Sequence, residues 1–350
     1  MKKIAIIGAG NSGCAQAIKL VKNGHSVRLI KTSNSMHNEH FNVIERTKKI
    51  EYIDSTDEDK YGYVELDLVT KNLELGLKDA DIVMVLTQSL QHRDLAPKIS
   101  KYLKKGTIVF IIPGNLGSTV FAKYIDTNDI ILVEGESTPY DARIEKPGCV
   151  RILFKNARNA VSFYNNEHKK YLSEIDALFG QHKYLRNNVI ETALHNPNLV
   201  VHTIGVIMSV SRIEYSNGDF CMYKEAFSDS VWNIISALDI EKNLVIKAYG
   251  GEALNYLDAA KWRNEDDLTK DSLSVFRSYA EDAPTGPANL DTRYIYEDVP
   301  MGLCLLENLA KLKNIETPIA TSLINIANSL KQTDYRQIAY KMEEVKLPII

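Results

Sequence analysis

Cysteine is scarce in this chain: there are four residues among 350, and no two of them form a Cys-x-x-Cys pair. The four are Cys14, Cys149, Cys221 and Cys304. Scattered cysteines of this kind do not make a disulfide framework or a zinc site. We therefore expect buried or free thiols in a reducing cytoplasm, and no metal site.

The sequence also lacks a basic block and a long hydrophobic run. Lys and Arg total 42 against 45 Asp and Glu, giving a net charge of −3, which disfavours nucleic acid as the main partner. No apolar stretch reaches the length of a membrane span, and the N-terminal apolar run is too short for a signal peptide. These features predict a cytoplasmic protein with no membrane partner.

The first half of the chain alternates short apolar runs with helical patterns. The runs are rich in Ile and Val and cover 3–7, 26–30, 81–86, 107–112 and 130–133. A helix is expected over 12–23, and a helix followed by one or two strands over 34–70. Continuous apolar strands separated by helices predict a doubly wound, mostly parallel sheet, which is a Rossmann domain.

From about residue 187 the strand-like runs end and helical spacing takes over. Helices are predicted over 197–215, 222–248, 251–260, 300–313 and 317–330. The segment 261–299 is rich in polar residues, Pro and Gly, and is predicted to be mostly loop. We expect a dinucleotide-binding domain at 1–187 and an all-α substrate and catalytic domain at 188–350.

A Gly-x-Gly-x-x-Gly motif joins the first strand to the first helix. Gly8 permits a tight turn, Gly10 lets a pyrophosphate approach the backbone, and Gly13 lets helix and strand pack closely. The helix start at Asn11 and Ser12 adds N–H donors and a positive dipole end. These five residues are predicted to bind a dinucleotide, the alternative being a structural glycine-rich turn.

The end of the second strand bears on the choice of cofactor. An NAD site usually has Asp or Glu there, whereas this chain has Lys31-Thr32-Ser33. Lys31 and Ser33 suit a 2′-phosphate, with Arg28 as a further candidate, so NADP is favoured. NAD stays an alternative, because a solvated strand end is the other interpretation of Lys31.

Asn115 follows the strand at 107–112, in Pro-Gly-Asn. Ligands of open parallel sheets bind beyond the carboxyl ends of the strands, so Asn115 is a candidate contact to the nicotinamide or its ribose. Pro-Gly-Asn is also good turn chemistry, which leaves a plain turn as the alternative.

An ionisable residue, His202, lies in the apolar helix that begins at Asn196-Pro197. A hydrogen-bonded core histidine is one interpretation and an acid/base catalyst is the other. A shared metal ion is disfavoured, because His195 lies two helical turns away.

Two polar stretches supply further candidates. One contains Arg293 and Asp298, for which the structural alternatives are a surface ion pair and a helix cap. The other contains Thr138, Tyr140 and Arg143, where the alternative is a loop with a structural Pro-Tyr and a surface arginine.

Together these stretches resemble the opine dehydrogenase family, which includes octopine and nopaline dehydrogenases and carboxyethyl-amino-acid dehydrogenases. The motifs that carry the resemblance, besides the glycine turn, are Glu136-x-Thr138-Pro-Tyr140-x-x-Arg143, Asn196-Pro-Asn-x-x-x-His202 and Arg293-Tyr-x-x-Glu-Asp298-Val-Pro. Tyr223-Lys-Glu225 and Leu238-Asp239-Ile-Glu241 also resemble the helical domain of the family. The resemblance implies that His202 is the catalytic histidine, Asp298 its acid partner, and Arg293 the group that holds a substrate carboxylate. Thr138, Tyr140 and Arg143 are expected to bind substrate. Lys31 and Asp141 depart from the pattern.

The resemblance also implies the reaction: NADH- or NADPH-dependent joining of an amino acid to a 2-oxo acid, with pyruvate as the default. One alternative is a related two-domain reductase, of the ketopantoate reductase or hydroxyacid dehydrogenase type, which typically uses a lysine as acid/base. A non-catalytic NAD(P)-binding regulator is the other. The sequence leaves the oligomeric state open, with a homodimer as a candidate.

Overall fold

In a computed structural model, which describes residues 1–33, 36–281, 283 and 285–349, the chain divides into two compact units. They are Met1–Leu185 and Arg186–Ile350, so the division falls two residues before the predicted boundary. Within the described residues, no helix is long and apolar enough to cross a membrane.

The first unit contains strands and helices in alternation. Its strands are β1 (Lys3–Ile7), β2 (Ser26–Ile30), β3 (Lys49–Asp54), β4 (Tyr61–Glu65), β5 (Leu68–Thr70), β6 (Ile82–Val85), β7 (Ile108–Ile111), β8 (Ile131–Gly135), β9 (Tyr140–Lys146), β10 (Cys149–Lys155), β11 (Ala160–Phe163) and β12 (Tyr184–Leu185). Its α-helices are α1 (Asn11–Lys22), α2 (Asn38–Thr47), α3 (Leu73–Leu77), α4 (His92–Ser100), α5 (Gly117–Phe121) and α6 (Leu172–Phe179), and short 3-10 helices cover Ser89–Gln91 and Asn166–Tyr171.

The larger sheet has the strand order β12-β11-β8-β7-β6-β1-β2-β5. Its pairings are parallel except that of β11 with β8, which is antiparallel. Every residue of β6 and β7 is buried, and because successive side chains point to opposite faces, both faces of the sheet are covered there. The predicted doubly wound, mostly parallel sheet is confirmed.

A second sheet, β4-β3-β10-β9, was not predicted. Strand β9 carries Asp, Arg, Glu and Lys side chains, so it lacks the continuous apolar run that marks a doubly buried strand. The helix and strands expected over 34–70 are present as α2, β3, β4 and β5, while residues 34 and 35 lie outside the described part. Helix α1 packs against strands of both sheets, which fixes the glycine turn at its start.

The second unit is helical throughout its regular elements. They are α7 (Val189–Leu194), α8 (Asn198–Ile207), α9 (Val210–Ser216), α10 (Met222–Glu225), α11 (Asp229–Ala248), α12 (Tyr256–Asn264), α13 (Ser272–Glu281), α14 (Arg293–Tyr296), a π-helical turn (Val299–Cys304), α15 (Leu305–Leu312), α16 (Pro318–Lys331), α17 (Tyr335–Ile338) and a 3-10 turn (Met342–Glu344).

Three expectations for this unit were wrong in detail. The segment 261–299 contains helix α13, which buries Val275, Phe276 and Ala280 along one face; the polar residues on its other sides hid that pattern. The helix expected over 197–215 is interrupted between α8 and α9, and residues 251–255 precede α12 rather than belong to it.

Candidate functional site

The glycine turn between β1 and α1 has the geometry of a phosphate-binding turn. Gly8 has φ +124°, and a Cβ there would lie 2.5 Å from the Leu86 carbonyl oxygen. A Cβ on Gly13 would lie 1.7 Å from the Gly8 oxygen. Gly10 is the N-cap of α1 without a side-chain cap, and the first turn of the helix carries no acidic residue. The helix N-terminus therefore offers N–H donors to an anion.

Two hydroxyl groups beside this turn fit a bound dinucleotide. The Ser12 and Thr87 hydroxyls are buried, and neither has a hydrogen-bond partner among the described residues. Thr87 follows β6, next to Gly8, and was missed in the sequence analysis. A pyrophosphate supplies the acceptor oxygens that such donors need. The Asn11 side chain is used structurally instead, because its oxygen accepts the Ile144 N–H at 2.7 Å.

Basic groups gather where β2 and β5 end. Lys31 is buried; its N–H donates to the Thr70 oxygen at 3.1 Å, and its ammonium donates to the Met36 carbonyl. Lys71 follows Thr70 directly, and both burial and Lys71 lower the pKa of Lys31. His37 lies against the turn, since a Cβ on Gly10 would be 3.4 Å from the His37 ring.

The two other residues considered for the 2′-phosphate, Arg28 and Ser33, differ from Lys31 in their surroundings. Arg28 donates to the carbonyls of Gly76 and Lys78, so it serves the end of α3. Ser33 is half-buried beside the loop that begins at Lys31. Lys71 and His37 were not predicted, because neither belongs to the residues that directly follow β2.

Asn115 lies at the carboxyl ends of β6 and β7, as expected for a residue near the ligand edge of the sheet. Its amide donates to the Ser89 hydroxyl at 2.9 Å, and its φ is +47°. The preceding Ile112-Pro113 peptide is cis. The hydrogen bond to Ser89 connects this turn to the segment that follows β6.

Glu134, at the end of β8, fixes the same turn and was not predicted. Its carboxylate accepts the N–H groups of Leu116 at 3.2 Å and Ser118 at 2.8 Å, and the Ser118 hydroxyl at 2.5 Å. A Cβ on Gly114 would lie 2.0 Å from a Glu134 oxygen, so this approach requires glycine. Complete burial raises the pKa of Glu134 to about 7, although these hydrogen bonds oppose the shift.

The residues proposed in the Thr138–Arg143 stretch do not share one location. Tyr140 belongs to the core: its ring packs edge-on against Phe179 at 6.1 Å, and burial raises its pKa to about 12. The Thr138 carbonyl accepts the side-chain amides of Asn156 and Asn159. Arg143 is exposed on β9, directly before Ile144, the residue bound by Asn11.

In the second unit, His202 and Asp298 come together although 96 residues separate them. His202 Nδ1 lies 2.7 Å from Asp298 Oδ2, and the two residues are only 6% and 3% exposed. Helix α8 starts as the sequence predicts, with the Asn196 side-chain oxygen accepting the Asn198 N–H at 3.0 Å. Asp298 precedes the π-helical turn, but its carboxylate binds the imidazole and makes no cap hydrogen bond.

Two glycines allow neighbouring segments to pack closely against α8. A Cβ on Gly302, in the π-helical turn, would lie 3.1 Å from the Leu199 Cα of α8. A Cβ on Gly205 would lie 2.9 Å from the Met222 sulfur at the start of α10. The backbone of α8 is therefore in close contact with the segments on either side of His202.

Two tyrosines complete the surroundings of His202. The Tyr294 ring stacks on the imidazole, with centroids 3.7 Å apart and planes 20° from parallel. The Tyr223 hydroxyl lies 3.4 Å from His202 Nε2. Tyr294 directly follows Arg293 in the sequence motif, so a signal for it was present, whereas nothing in the spacing of Tyr223 indicates this contact.

Arg293 lies on α14, beside this group. Its side chain is 49% exposed, and its Nε is 3.9 Å from a Glu297 oxygen. A guanidinium with this exposure can donate two parallel hydrogen bonds to the carboxylate of a ligand. Among the described residues, no group of three or more His, Cys, Asp and Glu side chains is arranged to hold a metal ion.

The comparisons with known proteins cover both units. Residues 185–331 match the family described as NAD/NADP octopine/nopaline dehydrogenase, alpha-helical domain, and residues 4–157 match ketopantoate reductase PanE/ApbA. An opine dehydrogenase from Arthrobacter sp. (strain 1C) is 27% identical, over 99% of this chain and 95% of its own. The chain is thus similar to opine dehydrogenases over nearly its whole length.

Solved structures agree with this fold. An octopine dehydrogenase with NADH and L-arginine has a TM-score of 0.75 and 16% identity, covering 99% of this chain and 95% of its own. Yersinopine dehydrogenase with bound NADP+ has a TM-score of 0.75 and 15% identity, covering 99% and 94%. The opine dehydrogenase helical-domain match includes every residue described around His202.

The burial of Glu134 predicts a pH-dependent stability. Its pKa is raised from 4.5 to about 7 in the folded chain, so between these values the native state binds more protons than the unfolded state. The free energy of unfolding should therefore fall as pH rises through this range, by up to about 3 kcal/mol from this group. Denaturant melts of wild type and Glu134→Gln at pH 4 to 8 measure the difference.

In Glu134→Gln this contribution is removed, so the stability of the variant relative to wild type should improve as pH rises from 4.5 to 7. Below that range the variant should be the less stable protein, because its amide NH2 faces N–H donors in place of a carboxyl oxygen. A stability difference that is the same at every pH would contradict a buried, titrating Glu134.

Proposed function

We propose that this chain is an NAD(P)H-dependent opine dehydrogenase, which joins an amino acid to a 2-oxo acid such as pyruvate. The observation that carries the proposal is the buried His202–Asp298 pair, 2.7 Å apart, in a domain that matches octopine/nopaline dehydrogenase. An NAD(P)-dependent oxidoreductase of this type acts on the CH–NH bond of its product.

The overall reaction consumes one proton. An ammonium group, a 2-oxo acid, NAD(P)H and H⁺ give a secondary ammonium group, NAD(P)⁺ and water. The bound cofactor supplies the hydride, which reduces the imine carbon. The chain's own residues have to bind the carboxylate, deprotonate the ammonium and protonate the oxygen that leaves as water.

His202 is suited to the proton transfers. Because Nδ1 faces Asp298, its N–H donates to the carboxylate and the lone pair of the neutral ring lies on Nε2. Nε2 is then the atom that takes a proton from the ammonium and returns one to the leaving oxygen. The negative charge of Asp298 stabilises the imidazolium that forms between these two steps, as it must in a buried position.

The residues at the glycine turn support an NADP-type cofactor. Gly8, Gly10, Gly13, Ser12 and Thr87 would hold the pyrophosphate. Lys31, Lys71 and His37 would face the 2′-phosphate, in a place where an NAD site carries an acid. Asn115, fixed by Ser89, would contact the nicotinamide ribose.

A ketopantoate-reductase-type activity is the second candidate, because residues 4–157 match that family. The two differ in their need for an amine. NADPH oxidation is followed with pyruvate alone and with pyruvate plus each amino acid, and the product mass is measured. The proposal expects oxidation only with an amine and a product carrying an added carboxyethyl group; oxidation by the oxo acid alone would contradict it.

His202→Ala should lower kcat by about 10²- to 10⁴-fold, the usual contribution of a general acid/base. Asp298→Asn should cost less, because the imidazole remains and loses only its orienting charge. The dissociation constant for NADPH, measured by fluorescence titration, should be unchanged in both variants.

His195→Gln is the matched control for these two variants. His195 is another buried histidine of the helical unit, with Nε2 2.9 Å from the Glu252 carbonyl oxygen, a contact that glutamine can keep. Its kcat should match wild type. A His202→Ala enzyme with wild-type kcat would rule out the acid/base role.

Arg293→Ala should raise KM for the 2-oxo acid about 10- to 100-fold, because a charge-assisted hydrogen bond is worth about 1.5–3 kcal/mol. KM for NADPH should not change. Arg277→Ala, which removes an exposed arginine from α13, is the control. An unchanged KM for the oxo acid in Arg293→Ala would show that another group holds the carboxylate.

Lys71→Ala should weaken NADP⁺ binding about tenfold, the equivalent of about 1.4 kcal/mol for one charged contact to the 2′-phosphate. NAD⁺ lacks this phosphate, so its affinity should be unchanged. Calorimetric titration of both nucleotides measures the split, with the exposed Lys98→Ala as the control. Equal weakening of both nucleotides would contradict a 2′-phosphate contact.

A further inference from the structure

The reacting nitrogen of His202 faces a tyrosine hydroxyl. Of the two ring nitrogens, Nδ1 is 2.7 Å from Asp298 and Nε2 is 3.4 Å from the Tyr223 oxygen. The imidazole itself is almost completely buried, at 6% exposure. A buried acid/base must exchange its proton with something at Nε2 in every turnover, and Tyr223 lies at that atom.

Tyr223 is the more accessible of the two residues, because its side chain is only partly buried. Its ring is held in place by other aromatic rings: Tyr279 meets it edge-on at 5.3 Å, and Phe276 and Phe227 lie at 6.1 and 6.3 Å. These contacts fix the position of the ring through its carbon atoms. They do not fix the direction of the O–H bond, which depends on the hydrogen bonds of the hydroxyl group.

The other approaches to the imidazole are already used. Tyr294 covers one face of the ring at 3.7 Å, and Asp298 occupies the Nδ1 edge. Protons enter and leave an imidazole in the ring plane, at its nitrogens, so stacking by Tyr294 positions the ring without taking part in proton exchange. The exchange is therefore confined to the Nε2 edge, which Tyr223 faces.

We propose that the Tyr223 hydroxyl relays protons to and from His202 Nε2. In the charging step, the Tyr223 O–H bond breaks as its proton moves to Nε2, while the same oxygen takes a proton from the substrate ammonium or from a protonated water. Tyrosine stays neutral, and the imidazole becomes an imidazolium. The inference rests on the proposed function, because it gives His202 a route for the proton transfers that opine synthesis requires.

The distance of 3.4 Å is consistent with a relay rather than a permanent contact. A hydrogen bond of this length is weak, so a substrate atom can compete for Nε2 at low cost. The hydroxyl donates to neutral Nε2 and accepts from protonated Nε2, because it is both donor and acceptor. Nε2 thus keeps a polar partner in both protonation states.

Tyr223→Phe tests the relay, since phenylalanine keeps the ring packing and removes only the hydroxyl. We expect kcat to fall about tenfold, less than for loss of the imidazole itself, with the affinity for NADPH unchanged. Small acids such as imidazolium or formic acid, added as buffers, should restore kcat in proportion to their concentration. Wild type should not respond to them.

Tyr249→Phe is the control for a merely structural hydroxyl, because the Tyr249 O–H donates to the Leu309 carbonyl at 3.0 Å in the core. It should lower the melting temperature, leave kcat unchanged and show no buffer response. Tyr279→Phe, in the ring that packs on Tyr223, should also keep kcat.

A measurement on wild type keeps the inference testable should Tyr223→Phe fold poorly. In mixtures of H2O and D2O, kcat plotted against deuterium fraction should curve downward, because two protons move in one relay step. A linear plot, the absence of an isotope effect, or a Tyr223→Phe enzyme with wild-type kcat would overturn the relay. Failure of the proposed function is a separate result: wild type would then make no opine at all.

Discussion

The hydrogen bond between His202 and Asp298 is the constraint on which the helical unit depends. In the proposed acid/base cycle the buried imidazole becomes charged, and it then requires a carboxylate partner, because an unpaired charge at that depth would cost several kcal/mol. The partner comes from a segment 96 residues away, so the intervening helices have to return the chain to α8. Gly302 is the position where this return brings the π-helical turn against the backbone of α8, at Leu199.

The first unit also buries a carboxyl group, but there its partners are backbone N–H groups and a hydroxyl. Its turn after β7 places backbone N–H groups in the interior, and Glu134 accepts two of them together with a hydroxyl. By binding Leu116 and Ser118, the Glu134 side chain fixes the turn that carries Asn115. Burial destabilises the charged form of this acid, and this raises the pKa of Glu134.

The features that could be predicted from the sequence are local ones. The glycine turn, the buried strands of the large sheet and the start of α8 each depend on residues within one turn or one strand. The sequence motif around Asp298 was also recognisable, but only through its resemblance to a family. Strand β9 and helix α13 escaped because their polar residues mask one-sided burial.

What the sequence could not provide is contact between distant segments. Tyr223 meets His202 across 21 positions, and Glu134 meets Ser118 across 16, with nothing in the spacing of either pair to mark it. Tyr140 is the converse case, a residue within a family motif that the fold uses in its core. Motif membership therefore identifies a segment, and only packing decides which of its side chains reach the chemistry.

The segment from Arg293 to Asp298 shows how much one such stretch can supply. Arg293 is half-exposed, Tyr294 stacks on the imidazole, and Asp298 is buried against Nδ1. A single turn of helix followed by a π-helical turn presents a cation to solvent and an anion to the interior within six residues. Arg293 and Asp298 are thus held at a fixed spacing by one backbone. In the proposed function, that spacing would align a substrate carboxylate held by Arg293 with the imidazole of His202.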